Sequence, residues 1–262
     1  MLLMGYDVSM VIGGAYTYQP SLAMRKHLTK NIARHHSSQY DSFTFFYKAS
    51  AQNIVAPEQA LCLRRHPVTD DEVPHWPEPE LALLLGERHR IEAVTLANDF
   101  TAYAVEVQGR DREFDGTYFG KVWPASCALG PRFIAADKLN LNNLDIGIRI
   151  QRRGQLIYQN SYSTERRRRE FKDIPDLAVS YRKGFGDNAP PSKNIPLHGD
   201  YLPRGTVLML GTGLIVPKRA YSEVGDIVTV YCDAIGELQN VIANSNGNRQ
   251  TMEFSCQAPT PA

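Results

Sequence analysis

The sequence predicts a strand-rich α+β protein with few helices. The first observation is a hairpin pattern, because residues 145–151 and 155–159 alternate polar and apolar side chains on either side of an Arg-Gly pair that suits a turn. The second is the high content of β-branched residues in 206–210 and 226–231, which is typical of strands. Segments of this kind dominate the chain after residue 75.

Only two segments predict helices. The first, residues 25–34, is basic and weakly patterned. The second begins after Thr164, a suitable N-cap, and restarts at Pro175. Apolar residues of the second segment fall on one helical face, which predicts that it packs on a sheet. The residues of this face are Phe171, Ile174, Leu177, Ala178 and Tyr181.

Four consecutive arginines, residues 166–169, invite a nucleic-acid interpretation. Acidic residues flank the run, and four successive positions on a helix spread around its circumference. We therefore expect a solvated helix face or an intersubunit contact. With 29 Lys and Arg against 28 Asp and Glu, no overall field draws the chain to nucleic acid or to an anionic membrane.

The chain of 262 residues is 43% hydrophobic, which is enough for a real core in one large domain or two small ones. Its longest apolar runs are far too short to span a bilayer, and its first residues do not resemble a secretory signal. The cysteines are Cys62, Cys127, Cys232 and Cys256. Since no Cys-x-x-Cys pair occurs, we expect reduced, buried thiols rather than disulfides or zinc ligands, and a cytoplasmic protein.

Three acids and a lysine form the main functional candidate. Glu78 and Glu80 are two apart in a predicted strand, so their carboxylates project from one face, and Asp99 and Lys121 follow. Two like charges held together are costly. A cation between them removes the repulsion, and carboxylate ligands suit Mg²⁺, Mn²⁺ or Ca²⁺ better than zinc. The alternatives are an exposed polar edge for the glutamates, a turn cap for Asp99 and a surface position for Lys121.

Four motifs carry a resemblance to a known family. They are Pro-Glu-Pro-Glu-Leu-Ala-Leu-Leu-Leu (77–85), Thr-Leu-Ala-Asn-Asp-Phe-Thr-Ala (95–102), Lys121 followed by Ser-Cys-Ala-Leu-Gly-Pro (126–131), and Gly-Thr-Val-Leu-Met-Leu-Gly-Thr-Gly (205–213). In this order they resemble the fumarylacetoacetate hydrolase superfamily. The resemblance is strongest to its branch of 2-keto-3-deoxy-sugar-acid dehydratases, which act on 2-keto-3-deoxy-arabinonate or xylonate.

The resemblance implies a mixed β-sandwich roll and a set of site residues. It implies that Glu78, Glu80 and Asp99 hold Mg²⁺, and that Lys121 points into the same cavity. It also implies that Thr212 binds the carboxylate or keto oxygen of a 2-keto acid substrate, and we expect Lys48, Tyr103 and Glu106 to contact that substrate as well. From the residues alone, Thr212 between two glycines suits an ordinary turn, and Lys48 has no assigned role. A homodimer or homotetramer is the implied assembly.

The chain also departs from the family pattern. Hydrolases and decarboxylases of the superfamily usually carry an N-terminal His and Glu that activate water, whereas residues 1–57 contain no glutamate. His27 is a candidate general base, with a helix-surface position as the alternative. After Asp99 the family usually has Ser-x-Arg-Asp, where this chain has Tyr103 in place of the arginine and regains Glu106 as the family's glutamate. We expect an altered pocket.

These observations predict an N-terminal segment with a lid helix (1–44), a catalytic domain (45–256) and a disordered tail (257–262). Residues 187–203, with four prolines, are expected to border the site. The predicted function is a Mg²⁺-dependent lyase that dehydrates a 2-keto-3-deoxy sugar acid through a metal-stabilised enolate. The alternatives are a hydrolase, decarboxylase or isomerase of the same superfamily acting on an acylpyruvate-like acid, or a non-catalytic metal-binding homologue.

Overall fold

The computed structural model describes residues 2–3, 5–15, 17–18, 43–66, 69–106 and 115–244. In these ranges the strands are β1 (Leu2–Leu3), β2 (Tyr6–Asp7), β3 (Met10–Ala15), β4 (Thr44–Ser50), β5 (Ile54–Val55), β6 (Ala60–Leu63), β7 (Trp76–Leu85), β8 (Ile91–Thr101), β9 (Cys127–Ala135), β10 (Asp145–Arg152), β11 (Gln155–Ser163), β12 (Thr206–Met209), β13 (Ile227–Cys232) and β14 (Gly236–Asn244). The α-helices with both ends described are Gly116–Lys121 (α1) and Ile174–Lys183 (α2). Residues 103–106 are also helical.

A seven-stranded mixed sheet has the order β4-β3-β12-β7-β8-β9-β5. Strand β12 runs parallel to β3, and β5 runs parallel to β9, while the other neighbours are antiparallel. The two edge strands β4 and β5 are consecutive in the chain, separated by the 3₁₀ turn Ala51–Asn53. Four residues span at most about 14 Å, so the sheet curls until its edges lie close together.

The curled sheet buries both of its faces. Its inner face is lined mainly by small and medium apolar residues, which fit the narrow interior of a roll. They are Val8, Val11, Ala49, Ile54, Ala82, Leu84, Ala93, Ala97, Cys127, Leu129, Phe133, Val207 and Met209. Strand β7 runs through the middle of this sheet, and all ten of its residues are buried.

A five-stranded sheet, in the order β11-β10-β13-β14-β6, packs on the outer face of the roll. The core between the sheets includes Leu81, Leu83, Leu85, Val94 and Leu96 from the first sheet, and Ile146, Ile148, Ile150, Val228 and Val230 from the second. The alternation of side chains along each strand places these residues on the facing surfaces. The predicted fold class, a strand-rich mixed sandwich roll, is confirmed.

The predicted hairpin is also confirmed. Strands β10 and β11 pair antiparallel from Asp145↔Ser163 to Arg152↔Gln155. Both turn residues have positive φ, 50° at Arg153 and 77° at Gly154, as a two-residue turn of the primed type requires. The two strands predicted from β-branched residues correspond to β12 and β13.

The second predicted helix is confirmed from Ile174 onward, and its earlier start is wrong. Ser163, not Thr164, accepts from the Glu165 N–H and caps a single 3₁₀ turn, Thr164–Arg166. The Thr164 hydroxyl accepts instead from the Leu144 N–H at 2.9 Å. A tertiary contact therefore takes the side chain that the sequence assigned to a cap.

Because the chain leaves the helical conformation after Arg166, the arginine run does not form a helix face. Arg167 is extended and pairs with Glu170 at 2.8 Å. Arg168 and Arg169 lie over the Phe43 ring, with guanidinium carbons 5.2 and 6.0 Å from its centroid. The predicted helix is therefore wrong for this run, whereas Arg166 and Arg169 are exposed to solvent as expected. The predicted helix at 25–34, His27 and the tail lie outside the described residues.

Cys127 and Cys232 are free and buried, as expected. Cys62 is disulfide-bonded, so the expectation of reduced thiols is wrong for this residue. Disulfide formation depends on the spatial separation of two Cα atoms, which the spacing of cysteines along the sequence does not give. In the part of the chain that is described, no helix is long and apolar enough to cross a membrane.

Candidate active site

The three candidate carboxylates converge on the inner face of the roll. Glu78 lies directly opposite Asp99 in the β7–β8 pair, and Glu80 lies two residues further along the same face. One oxygen from each carboxylate lies within 4.8 Å of the others, and all three side chains are buried. The period-two alternation of β7 is what places both glutamates on one face.

Prolines fit this part of β7 because it is paired by strands on one side only. Strand β12 pairs with residues 82–84 of β7, and the last contact is the Leu210 N–H to the Leu81 carbonyl at 3.0 Å. Before Leu81, β7 has only β8 beside it. Pro77 and Pro79, which lack an N–H, therefore remove no ladder bond on the open side.

Lys121 connects the carboxylates. It is the last residue of α1, whose first turn is capped by Asp115 through the Tyr118 N–H. The Lys121 ammonium donates to Glu78 Oε2 at 2.9 Å and to Asp99 Oδ2 at 2.8 Å. It also donates to Thr101 Oγ1 at 2.8 Å. The side chain is 2% exposed, so these partners replace the water that a lysine normally has.

Lys48, on β4, is a second buried cation. Its ammonium forms an ion pair with Asp99 Oδ1 at 2.6 Å. It also donates to the carbonyl of Phe100 at 3.3 Å and to the carbonyl of Lys121. Three N–H donors thus have three acceptors, and Lys48 ties β4 to the end of β8 and to the end of α1.

The charges of the five side chains do not cancel, since three carboxylates and two ammonium groups leave one negative charge. Burial, followed by the charges of Asp99 and Glu78, raises the pKa of Glu80 well above its ordinary value. Burial also acts to raise the pKa of Asp99, but Lys121 and Lys48 together outweigh it and that pKa is lowered. Glu80 is therefore the carboxylate whose charge the two lysines do not balance, and its charged form needs a further cation. A hard divalent cation fits this buried all-oxygen set.

The Gly211-Thr212-Gly213 turn lies beside Glu80. The Gly211 N–H donates to Glu80 Oε2 at 2.7 Å. Gly211 has φ of 75°, and an added Cβ would lie 2.8 Å from the Gly14 carbonyl oxygen, so a residue other than glycine does not fit. Thr212 is 4% exposed, and its hydroxyl oxygen accepts from the Leu214 N–H at 3.2 Å.

Tyr103 and Glu106 are connected to the carboxylates through neighbouring residues. The Tyr103 ring stacks on Trp76 with centroids 4.2 Å apart, and the Trp76 indole N–H donates to Glu78 Oε1 at 3.0 Å. Glu106 is buried against Gly120, where an added Cβ would lie 2.6 Å from the Glu106 nitrogen. Tyr103 is therefore connected to the site through Trp76, and Glu106 is connected to it through α1.

Sequence reasoning missed four residues at the site: Trp76, Thr101, Tyr162 and Gly211. Trp76 could have been found, because it is two residues before Glu78 and shares its face by alternation. Thr101 is two residues after Asp99 and shares that face in the same way. Tyr162 comes from the other sheet and gives no local signal.

No family model matches the chain. In sequence it is 26% identical over 245 residues to 2-dehydro-3-deoxy-D-arabinonate dehydratase of Saccharolobus solfataricus, a match that covers 88% of this chain and 71% of that protein. It is also 26% identical over 202 residues to a probable 2-keto-3-deoxyxylonate dehydratase of Haloferax volcanii, covering 75% of this chain and 59% of the relative. The match therefore spans less than two thirds of the second relative's length.

Solved structures match with TM-scores well above the level of chance. A 2-keto-3-deoxy-D-arabinonate dehydratase complexed with magnesium and 2,5-dioxopentanoate has a TM-score of 0.67 at 21% identity, covering 90% of this chain and 73% of that chain. Fumarylacetoacetate hydrolase from Exiguobacterium antarcticum has a TM-score of 0.60 at 21% identity, with coverages of 92% and 78%. Fumarylpyruvate hydrolase from Pseudomonas aeruginosa, in complex with Mn²⁺ and pyruvate, has 0.58 at 17%, with 91% of both chains covered.

These similarities establish that the chain shares its fold with these fumarylacetoacetate hydrolase-type proteins. Its named homologues in sequence are 2-keto-3-deoxy sugar acid dehydratases. The resemblance predicted from the four motifs is confirmed in both respects.

Proposed function

We propose that this protein is a Mg²⁺-dependent lyase that removes water from a 2-keto-3-deoxy sugar acid. The observation that carries the proposal is the buried convergence of Glu78, Glu80 and Asp99 around Lys121, in a chain whose homologues are named as such dehydratases. The site has the charge and the ligand type that a hard cation requires. As in the homologues, the reaction would be an elimination rather than a hydrolysis.

In this proposal Glu78, Glu80 and Asp99 hold the ion. When bound, Mg²⁺ acts as a Lewis acid that polarises the 2-keto group and orients the substrate's carboxylate. Lys121 stabilises the negative charge that develops on the keto oxygen as the C3 proton leaves, because its ammonium is buried and already directed at the carboxylates. His27 is the proposed base for the C3 proton. The electron pair of the enolate would then form the C3–C4 double bond as the C4–O bond breaks, and the hydroxyl would take the proton back from the His27 imidazolium and leave as water.

Lys48 has a different proposed role. Two of its contacts are to the main-chain carbonyls of Phe100 and Lys121, whereas the three contacts of the Lys121 ammonium are all to side chains. We therefore propose that Lys48 fixes Asp99 and the end of α1 rather than contacting the substrate directly. Thr212, Tyr103 and Glu106 are the proposed substrate-binding residues, and the proposed assembly is a homodimer or homotetramer.

A second candidate function is a hydrolase of an acylpyruvate-like keto acid. It is favoured by the shared fold with a fumarylpyruvate hydrolase that binds Mn²⁺ and pyruvate. Against it, residues 1–57 contain no glutamate to form the usual water-activating pair. The products separate the two functions, since an elimination lowers the substrate mass by one water and a hydrolysis splits the carbon chain.

Two measurements test the proposal. Oxalate, an analogue of the keto acid edge, is expected to raise the melting temperature only when Mg²⁺ is present, since a ligand of the native state stabilises it. A panel of 2-keto-3-deoxy acids and acylpyruvates, with products identified by mass, then gives the reaction. Glu80→Gln is expected to abolish turnover, while Glu237→Gln, a surface control, keeps it. The proposal is refuted if oxalate raises the melting temperature equally with and without Mg²⁺, or if Glu80→Gln keeps full turnover.

A further inference from the structure

Tyr162 reaches the candidate site from the opposite sheet. It lies on β11, the edge strand of the five-stranded sheet, and its side chain crosses the interface between the sheets. The residue is 5% exposed. Its hydroxyl lies 3.1 Å from the Pro79 carbonyl oxygen and 3.4 Å from the Gly211 carbonyl oxygen. A residue of one sheet thus contacts the main chain of the other at two points beside Glu80.

The first contact fixes the peptide between the two glutamates. Pro79 lies between Glu78 and Glu80, and β12 has already left β7 at this point, because its last bond is from Leu210 to Leu81. The Pro79 carbonyl faces the gap that β12 leaves, and the Tyr162 hydroxyl donates to it there. The phenol replaces the bond that a neighbouring strand would otherwise make.

The second contact fixes the turn that holds the Glu80 carboxylate. Gly211 presents its N–H to Glu80 Oε2 at 2.7 Å, and its carbonyl lies beside the Tyr162 hydroxyl. Gly213 also packs directly on the phenol ring, since an added Cβ would lie 2.2 Å from Cδ2 of Tyr162. The second glycine of the Gly-Thr-Gly turn is therefore required by this ring.

A second phenol supports the first. Tyr18 packs edge-on against Tyr162, with ring centroids 4.9 Å apart and an interplanar angle of 70°. Tyr18 comes from the end of the segment that follows β3, so three parts of the fold meet at the Tyr162 side chain.

We propose that Tyr162 is a positioning residue for Glu80, acting through Pro79 and Gly211. The proposal rests on the proposed function, because it takes Glu80 as a metal ligand. The ring of Tyr162 fills the space over Gly213, whereas its hydroxyl sets the position of the glutamate. Removing the hydroxyl alone should therefore leave the packing and loosen the metal ligand.

The test is Tyr162→Phe, which keeps the ring and removes the hydroxyl. Mg²⁺ is titrated by calorimetry in the presence of oxalate, and turnover is measured over a range of Mg²⁺ concentrations. We expect the Mg²⁺ dissociation constant to rise by about tenfold, as for other residues that orient a metal ligand, and excess Mg²⁺ to restore part of the lost rate. A purely structural role would lower the melting temperature without changing Mg²⁺ affinity.

Tyr158→Phe is the matched control, because Tyr158 lies on the same strand and its hydroxyl accepts from the exposed Asn160 amide at 3.3 Å, away from the carboxylates. It is expected to bind Mg²⁺ like the wild type. Wild-type affinity and rate in a folded Tyr162→Phe overturn the inference. If that variant does not fold, Tyr18→Leu, which removes the ring that packs on Tyr162, carries the test, and unchanged Mg²⁺ affinity there overturns the inference too. A wild type that binds no Mg²⁺ would instead refute the proposed function.

Discussion

Acid is expected to destabilise the protein through His75, which adjoins the candidate site. Its ring is 1% exposed and stacks on Phe100 with centroids 5.3 Å apart. Its Nε2 accepts from the Arg64 N–H at 3.2 Å, which requires a neutral nitrogen there. Burial lowers the pKa of His75 from 6.5 to about 4, and the charge of Arg64 acts in the same direction.

The sign and size of the effect follow from this shift. The folded pKa lies below the unfolded one, so the unfolded chain takes up the proton first. The stability contribution is complete above the unfolded pKa of about 6.5 and is lost progressively as the pH falls towards 4. At about 1.4 kcal/mol per pKa unit, the shift is expected to remove about 3 kcal/mol of unfolding free energy by pH 4.

Urea denaturation of wild type and His75→Gln measures this loss. Glutamine keeps an acceptor for the Arg64 N–H but does not titrate. Other groups titrate equally in both proteins, so the difference between the two pH profiles isolates His75. Between about pH 7 and pH 4 the wild type is expected to lose about 3 kcal/mol more than the variant. Equal losses in the two proteins would refute the reasoning.

Three other perturbations act on the site itself. Lys48→Met removes one of the two buried cations that pair with Asp99 and leaves only Lys121, so it is expected to lower the unfolding free energy by about 3–5 kcal/mol; an unchanged urea midpoint contradicts this. Glu80→Gln removes the carboxylate whose charge the lysines do not balance, so the melting temperature without metal should rise by about 2–4 °C. The rise in melting temperature caused by Mg²⁺ should disappear in this variant. A calorimetric melting temperature below that of the wild type would contradict the prediction. Gly211→Ala strains a backbone at φ of 75° and should lower the unfolding free energy by about 1–3 kcal/mol. An unfolding free energy equal to that of the wild type would contradict this prediction.

The carboxylate cluster was predictable because it depends on local regularity. The period-two alternation of a strand places Glu78 and Glu80 on one face without any knowledge of the fold. Their meeting with Asp99 needed the pairing of β7 with β8, which the family motifs supplied. The hairpin of β10 and β11 followed from alternation and turn chemistry in the same way.

What the sequence did not predict depends on contacts between distant elements. Thr164 has the composition of an N-cap, but its hydroxyl bonds to Leu144 across the fold, and the helix begins ten residues later. Tyr162 contacts Pro79 and Gly211 only because the second sheet packs on the roll at that point. Such contacts have no periodic signature, because neither partner lies within a few residues of the other.

The charge count connects the two lysines with the proposed substrate. Glu78, Glu80 and Asp99 with Lys48 and Lys121 sum to one negative charge, which a divalent cation would convert to one positive charge. A keto acid with a single carboxylate then brings the buried set to neutrality, whereas a dicarboxylate leaves an excess negative charge in a site of low polarity. The second lysine is what makes this sum favour a monoanion, since without it the ion alone would neutralise the site. Within the proposed function we therefore expect these five side chains, counted without Glu106, to bind a substrate with one carboxylate more readily than one with two.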